Sequence, residues 1–392
     1  MNRTSIGVLA AGAMILALSG CGGSSMGSAP MRTEEPLASS GSSTVSTVDT
    51  DSLVTDVDPP DGPSILATLN TETTIGSTVD PVTGDQNPYG LDIAPIDSGL
   101  IHRGDLIVCD FNDSANVQGT GNAIIALAPQ PGSSPRPVIT NAALLGCTEN
   151  VQTRNGTIWE TAFVAPDVAI VSPAGKVLNT LTGTPFTAPF GITLARDDDG
   201  MGNDPVFYES DATTGAIVRI SAGRSGVHNE VIATGFAVNN GVPGTELGPS
   251  GLQYDPSHDR LYVVDGTNNT LVELRHVSTI PAGGITVGAN GTSFSGPFAH
   301  RARLVFSGSP LNSPISSALL PNGNIAIGNT GNPNGENLMV EITPHGKVAD
   351  VKNVDTGAAG ALFGMTATTG KKGVFTLYFN DDNTNTVVAL TR

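Results

Sequence analysis

LYVVDGTNNTLVEL, residues 261–274, decides the fold. An apolar run ends in an acidic residue, Asp265, turns through Gly, Asn and Thr, and enters a second apolar run. Such runs, rich in Val, Leu and Tyr and bounded by turn formers, read as strand, tight turn, strand. The same phrase returns as LIVCDFNDSANVQGTGNAIIAL at 106–127, VFYESDATTGAIVRI at 206–220, IAIGNTGNPNGENLMVEI at 325–342 and FTLYFNDDNTNTVVAL at 375–390. A hairpin written five times in one chain is the mark of a repeat architecture.

A second element precedes each hairpin. It is a Pro/Ser-Gly corner leading into a short strand: Pro88-Tyr89-Gly90 before LDIAP, Pro189-Phe190-Gly191 before ITLA and Pro249-Ser250-Gly251 before LQYD. Variants stand at SPISSALL (313–320) and ALFGMTAT (361–368). The corners recur about every 45–65 residues, or at twice that distance, the length of a four-stranded propeller blade. Six units follow: 82–140, 141–183, 184–236, 237–308, 309–357 and 358–392. The unit 141–183 lacks the acidic turn and is interrupted at CTENVQTRNG, although TIWETAFVAPDVAIVSPAGKVLNTL still offers three strand-like runs. A single blade leaves both faces wet, and closing the ring buries them. The last unit is one strand short. SILATL at 64–69 resembles KVLNTL at 176–181, so an N-terminal strand near 64–69 is expected to complete the last blade and remove two open edges. The expected fold is an all-β, six-bladed β-propeller spanning 61–392.

The PFGI or PSGL corner, followed by a strand ending in Asp and then a second apolar strand, resembles the NHL-repeat propellers. It is similar also to the wider group of gluconolactonase-type and strictosidine-synthase-type propellers. The resemblance covers about residues 64–392 and rests on recurrence, since each motif alone is weak.

The N-terminus carries a separate message. In MNRTSIGVLAAGAMILALSGC, Arg3 supplies a positive start, Ile6 to Leu18 an apolar stretch too short to span a bilayer comfortably, and Leu18-Ser19-Gly20-Cys21 a small-residue exit. This resembles the signal peptide and lipobox of bacterial lipoproteins. The resemblance implies removal of residues 1–20 and acylation of Cys21, with more than one chain anchoring the protein to the membrane. Gly22 in place of Asp points to the outer membrane. Residues 21–60, rich in Ser, Thr, Gly and Pro, read as a flexible tether.

Composition narrows the functions. The chain has 392 residues, 48 Gly, 27 Pro and a formal net charge of −18. A surface of that sign repels phosphate backbones and argues against nucleic-acid binding. The six histidines follow no zinc-ligand spacing, and no G-x-S-x-G elbow, P-loop or haem-attachment motif is present. One tryptophan argues against the tryptophan-rich blades of quinoprotein dehydrogenases.

Asp110, Asp211, Asp265, Asn329 and Asn380 share the strand-end position, where Asp and Asn first of all accept hydrogen bonds from the turn's own amides. In a ring, though, equivalent positions surround one channel. Glu209, Asp211, Asp265, Asn329 and Asp381 are therefore the candidate set for Ca2+ or another divalent cation. Gluconolactonase-type propellers hold such a metal with a Glu, Asn and Asp set; no Glu in the first corner matches it, and no cofactor is specified otherwise. The irregular unit, with Glu149, Asn150 and Trp159, is the candidate ligand site. Cys109 and Cys147 lie on a strand of the first unit and near the start of the second; an envelope disulfide and two buried free thiols both remain open.

Two functions follow. One is a membrane-anchored propeller that binds an envelope protein or a small molecule without catalysis. The other is a metal-dependent lactonase or esterase with its cation in the channel. The absence of a recognisable catalytic set ranks binding first.

Overall fold

The computed structural model describes residues 61–197, 204–223, 226–238, 248–331, 335–370 and 373–392. The described residues belong to one compact unit. The expected signal segment 1–20, Cys21 and the expected tether 21–60 lie outside the described residues.

Six sheets make six blades, each with four antiparallel strands. Blade 1 runs Gln86–Ile93, Leu106–Asn112, Ala123–Leu127, Arg136–Thr140 from the inside outward, and blade 2 runs Cys147–Gln152, Ile158–Ala162, Asp167–Val171, Val177–Thr182. Blade 3 has Pro189–Arg196, Val206–Asp211, Ala216–Gly223 and Gly226–Thr234. Blade 4 has Pro249–Asp255, Arg260–Asp265, Thr270–Arg275 and, after an excursion, Ala302–Ser307. That excursion sends two short strands, Ile285–Val287 and Phe294–Ser295, back to extend the outer edge of blade 3. Blade 5 has Pro314–Leu319, Ile325–Asn329, Asn337–Ile342 and Val348–Asp355.

Blade 6 is built from both ends of the chain. Met365–Thr369, Phe375–Asp381 and Thr386–Thr391 supply three strands, and Thr71–Ser77 pairs antiparallel with the last of them. An N-terminal strand therefore closes the ring, a few residues beyond the expected 64–69. The SILATL stretch instead makes a 3-10 turn at Leu66–Thr68. Its Leu66 and Leu69 are fully buried among Leu320, Met339, Leu377 and Leu390, between blades 5 and 6. Glu341 fastens the turn, its carboxylate accepting from the Leu66 N–H at 2.7 Å and the Ser64 hydroxyl at 2.6 Å. The apolar content that suggested a strand serves packing here, and the polar TETTIGS segment forms the edge.

The corner glycines have a steric cause. A Cβ on Gly191 would lie 2.1 Å from the Ser250 carbonyl oxygen, and one on Gly364 would lie 2.1 Å from that of Tyr89. Each glycine lets the inner strand of one blade touch the backbone of the next. Where the glycine is missing, a hydroxyl bridges the same gap. Thr148 of blade 2 donates to the Phe190 carbonyl at 2.9 Å, and Ser316 of blade 5 to that of Leu362 at 2.8 Å.

The stretch CTENVQTRNG is not an interruption. Cys147–Gln152 is the inner strand of blade 2. It reads as polar because an inner strand faces the channel, so the hydrophobic alternation that marks the other strands is weak there. Cys109 and Cys147 form a disulfide between blades 1 and 2, with Cα atoms 5.9 Å apart.

A cavity at one end of the central channel

All six inner strands run from their corner in the same sense through the channel. At the corner end the channel is plugged. Tyr89 stacks on Phe111 with ring centroids 4.1 Å apart and on Phe363 at 4.0 Å, and meets Phe190 edge-on at 6.1 Å. Phe163 and Ile315 complete this aromatic seal. Tyr89, Phe190 and Phe363 are the residues just before the corner glycines, so the motif that closes blades on one another also closes one mouth of the channel.

The other end opens into a cavity of about 530 Å3, lined by the second halves of the inner strands. Leu91, Ile192, Leu252 and Met365 contribute apolar walls, and Asp92, Glu149, Asn150, Gln152, Gln253 and Tyr254 polar ones. The lining is more polar than apolar, which suits a polar ligand.

Two carboxylates organise the polar side. Glu149 of blade 2 accepts the N–H of Leu91 in blade 1 at 3.1 Å and that of Asn150 at 3.0 Å. Burial pushes its carboxyl up to about 8; the two N–H bonds oppose that rise and the neighbouring Asp92 adds to it. Asp92 accepts the Gln152 N–H at 2.7 Å, and burial lifts it to about 6. At neutral pH Glu149 thus holds a proton while Asp92 is mostly ionised. Asn150 donates Nδ2 to the Ile107 carbonyl, and its Oδ1 is buried without a partner.

The sequence candidates divide. Glu149 and Asn150 line the cavity. Trp159 does not: it stacks on Phe207 at 4.2 Å within the packing between blades 2 and 3. The expected cation set is not brought together. Asp211 accepts the N–H groups of Thr187, Ala188, Thr213 and Thr214; burial raises its pKa, and these bonds outweigh that and lower it. Asp265 accepts from Thr267 and Asn268, Asn329 from Asn312, and Asp381 from the Thr384 hydroxyl. Each closes a turn or loop at the plugged end of the ring. Glu209 is fully buried, and burial, with Asp211 nearby, holds it well above the usual carboxylate range against the opposing pull of the Phe190 backbone. Asn380 is also offset from its supposed equivalents. The hairpin register matches Asp381 with Asp211 and Asp265, whereas Asn380 donates Nδ2 to the Tyr89 and Gly90 carbonyls of blade 1. Among the described residues, no three Asp, Glu, His or Cys side chains converge at metal-binding geometry.

Asp92, Gln152, Gln253 and Tyr254 were missed in the sequence. Their signal is position: Asp92 in LDIAP and Gln253-Tyr254 in LQYD lie just past the corner glycine, on the inner strand.

No protein-family model matches the chain, and no curated protein matches it. Solved structures do. A gluconolactonase from Xanthomonas campestris is similar over 86% of this chain and 94% of its own, at 11% identity and a TM-score of 0.54. A putative gluconolactonase is similar over 84% and 96%, at 13% identity and a TM-score of 0.51. Virginiamycin B lyase from Staphylococcus aureus aligns over 82% of this chain and 98% of its own, at 16% identity and a TM-score of 0.48. At such identities the likeness establishes the propeller fold shared with gluconolactonase-type proteins.

Proposed function

We propose that the chain is an envelope lipoprotein, acylated at Cys21 and carried on the 21–60 tether, whose propeller binds a small polar molecule in the channel-end cavity. The observation that carries this reading is the Glu149–Asp92 pair. A neutral carboxyl that donates and an ionised one that accepts, set in a mainly polar cavity closed at its far end, suit a ligand bearing hydroxyl or carbonyl groups. The anchor and tether rest on the N-terminal sequence alone. Thermal-shift screening of the full-length chain against neutral sugars, sugar acids and lactones tests the cavity. A ligand-dependent shift that Asp92→Asn and Gln253→Ala both abolish supports binding there; a shift unchanged in both variants places the ligand elsewhere and sinks the reading. Palmitate labelling that Cys21→Ser fails to abolish would remove the anchor.

One observation favours a second reading, hydrolysis of a lactone or ester in the same cavity. Two neighbouring carboxyls with proton affinities near 8 and 6 have the separation that acid–base pairs use. A divalent cation fits this donor set poorly, because Glu149 Oε1 already accepts two N–H groups. Lactone turnover that is lost in Glu149→Gln while ligand binding survives would establish this second reading; no turnover on any lactone that binds would leave binding alone.

A further inference from the structure

In blades 3, 4 and 5 the strand-end side chain is satisfied by amides, and in blade 1 it is not. In blade 3, Asp211 takes the N–H groups of Thr187 and Ala188 from the loop that leads into its own inner strand. In blade 5, Asn329 takes the N–H of Asn312 from the corresponding loop. Asp110 holds the same register, opposite Pro88 as Asp211 is opposite Pro189. Yet Asp110 is fully buried and neither of its oxygens has a partner.

The loop that should supply amides to Asp110 supplies oxygens instead. It comprises residues 78–85 and runs from the ring-closing strand Thr71–Ser77 to the inner strand Gln86–Ile93. It turns on itself, the Asp80 N–H donating to the Asp85 carbonyl at 2.9 Å and the Gly84 N–H to the Asp80 carbonyl at 2.9 Å. Thr83 caps Asp80 Oδ2, and the Asn122 N–H caps Asp85 Oδ2. Thr78 and Asn87 are pinned to the same residue of blade 6, their N–H groups donating to the carbonyl and side-chain oxygen of Asn385. Asn87 adopts a left-handed φ of 64°, which turns its N–H toward blade 6 and away from Asp110. Five side-chain oxygens are left over. Thr78 Oγ1, Asp80 Oδ1, Asn87 Oδ1 and the Asp110 carboxylate are all buried, at 0–2% exposure of their residues, and none has a hydrogen-bond partner. No Lys, Arg or His pairs with Asp80, Asp85 or Asp110 among the described ion pairs.

Buried carboxylates without amide or cationic partners are costly, and hydroxyl and amide oxygens without donors add to the cost. An all-oxygen set with two to three carboxylates is what a hard cation takes, at six to eight oxygens for Ca2+. We infer that the seam between blades 1 and 6 holds a structural Ca2+ ion, bound by Asp80, Asp110, Thr78 and Asn87 with Asp85 beside them. Two carboxylates with neutral oxygens and water make the set, so it needs no third acidic ligand. This seam joins blade 1 to the blade in which Thr71–Ser77 and Thr386–Thr391 pair, and the ion cross-links the loop after the ring-closing strand to the second strand of blade 1. The site is separate from the channel-end cavity.

The test is calcium-dependent stability of the full-length chain, stripped with chelator and dialysed. The expected result is a melting temperature that rises with the logarithm of Ca2+ concentration, together with one saturable site by titration calorimetry. Asp110→Asn removes that rise, and the chelated variant melts no lower than chelated wild type because a buried charge is gone. Asn87→Gly keeps the left-handed backbone and removes one oxygen, so it folds and weakens Ca2+ binding tenfold or more; it serves where Asp110→Asn does not fold. Asp211→Asn keeps the full calcium response. No response of wild type to Ca2+, Mg2+ or Tb3+, or an undiminished response in Asn87→Gly and Asp110→Asn, overturns the inference.

Discussion

Glu149 crosses from blade 2 to accept the backbone N–H of Leu91 in blade 1 at 3.1 Å. The bond ties a channel-facing acid to the seam between two blades, so the protonation of the site and the stability of the ring are linked.

Gln at position 149 should expose that link. Burial lifts the Glu149 carboxyl from its ordinary 4.5 to about 8 in the folded chain, and Asp92 from 3.8 to about 6. The folded state holds more protons than the unfolded state between those values, so stability falls as pH rises across them. Asp167 and Asp382, both pushed to about 7 mainly by burial, act in the same direction. Glu341 acts oppositely. Burial raises it, but Ser64, Asn324 and the Leu66 and Ile65 amides more than compensate, and its contribution is lost as pH drops below the usual Glu range. Stability should therefore peak in mildly acidic solution and decline toward pH 8. Each group costs at most about 1.4 kcal/mol per pH unit crossed. Melting temperatures from pH 4 to 9 check this, and Glu149→Gln should flatten the decline above pH 6.

The disulfide offers a cleaner energetic test. It closes a loop with a sequence separation of 38, and the chain-entropy relation gives about 4 kcal/mol for that length. Both sulfurs are fully buried between apolar neighbours, so a mild reductant should spare the native protein. The paired variant Cys109→Ala/Cys147→Ala should lose up to that amount in denaturant unfolding, whereas wild type unfolded with reductant should match the variant.

The corner glycines separate what was legible in the sequence from what was not. Their recurrence, with the acidic hairpin, was enough to count six blades, because blade packing needs both at fixed spacing. Their purpose lay in contacts between units, which one unit's sequence does not contain. The same holds for the channel. Glu149 and Asn150 stood out because blade 2 is irregular, but Asp92 and Gln253 sit in regular blades and look like ordinary strand residues until the ring brings them together. Asp265 and its equivalents misled in the opposite sense, since recurrence suggested convergence where each residue serves its own turn.

Gly364→Ala should show how strict the blade contact is. The added methyl would stand 2.1 Å from the Tyr89 carbonyl oxygen and 2.6 Å from Asn380 Nδ2, and backbone cannot yield as a flexible side chain can. The two inner strands would have to separate, breaking the Asn380 bonds to Tyr89 and Gly90 and disturbing the Tyr89–Phe363 stack. A loss of about 2–3 kcal/mol is expected, as for overpacking of a tight core. A near-neutral effect on the denaturation midpoint would show that the seam is compliant.

The N-terminal turn makes the last case. Leu66 and Leu69 are fully buried between blades 5 and 6, and Glu341, also fully buried, accepts hydrogen bonds from Ser64, Ile65, Leu66 and Asn324. Leu66→Ala removes apolar volume from that seam and should cost about 2–5 kcal/mol. Glu341→Ala costs by a different route, leaving the Leu66 and Ile65 amides and the Asn324 amide group without their acceptor, at about 1–3 kcal/mol for each buried group left unpaired. Removing residues 61–69 from the chain would remove the turn and keep Thr71–Ser77, the strand that closes the ring. Hydrogen exchange separates the two roles. In the Leu66→Ala variant, protection should drop in blade 5 and in the blade 6 strands Met365–Thr369 and Phe375–Asp381 while the Thr71–Ser77 amides stay protected. Loss of protection in that strand at the same time would mean that the turn and the closing strand form one cooperative unit.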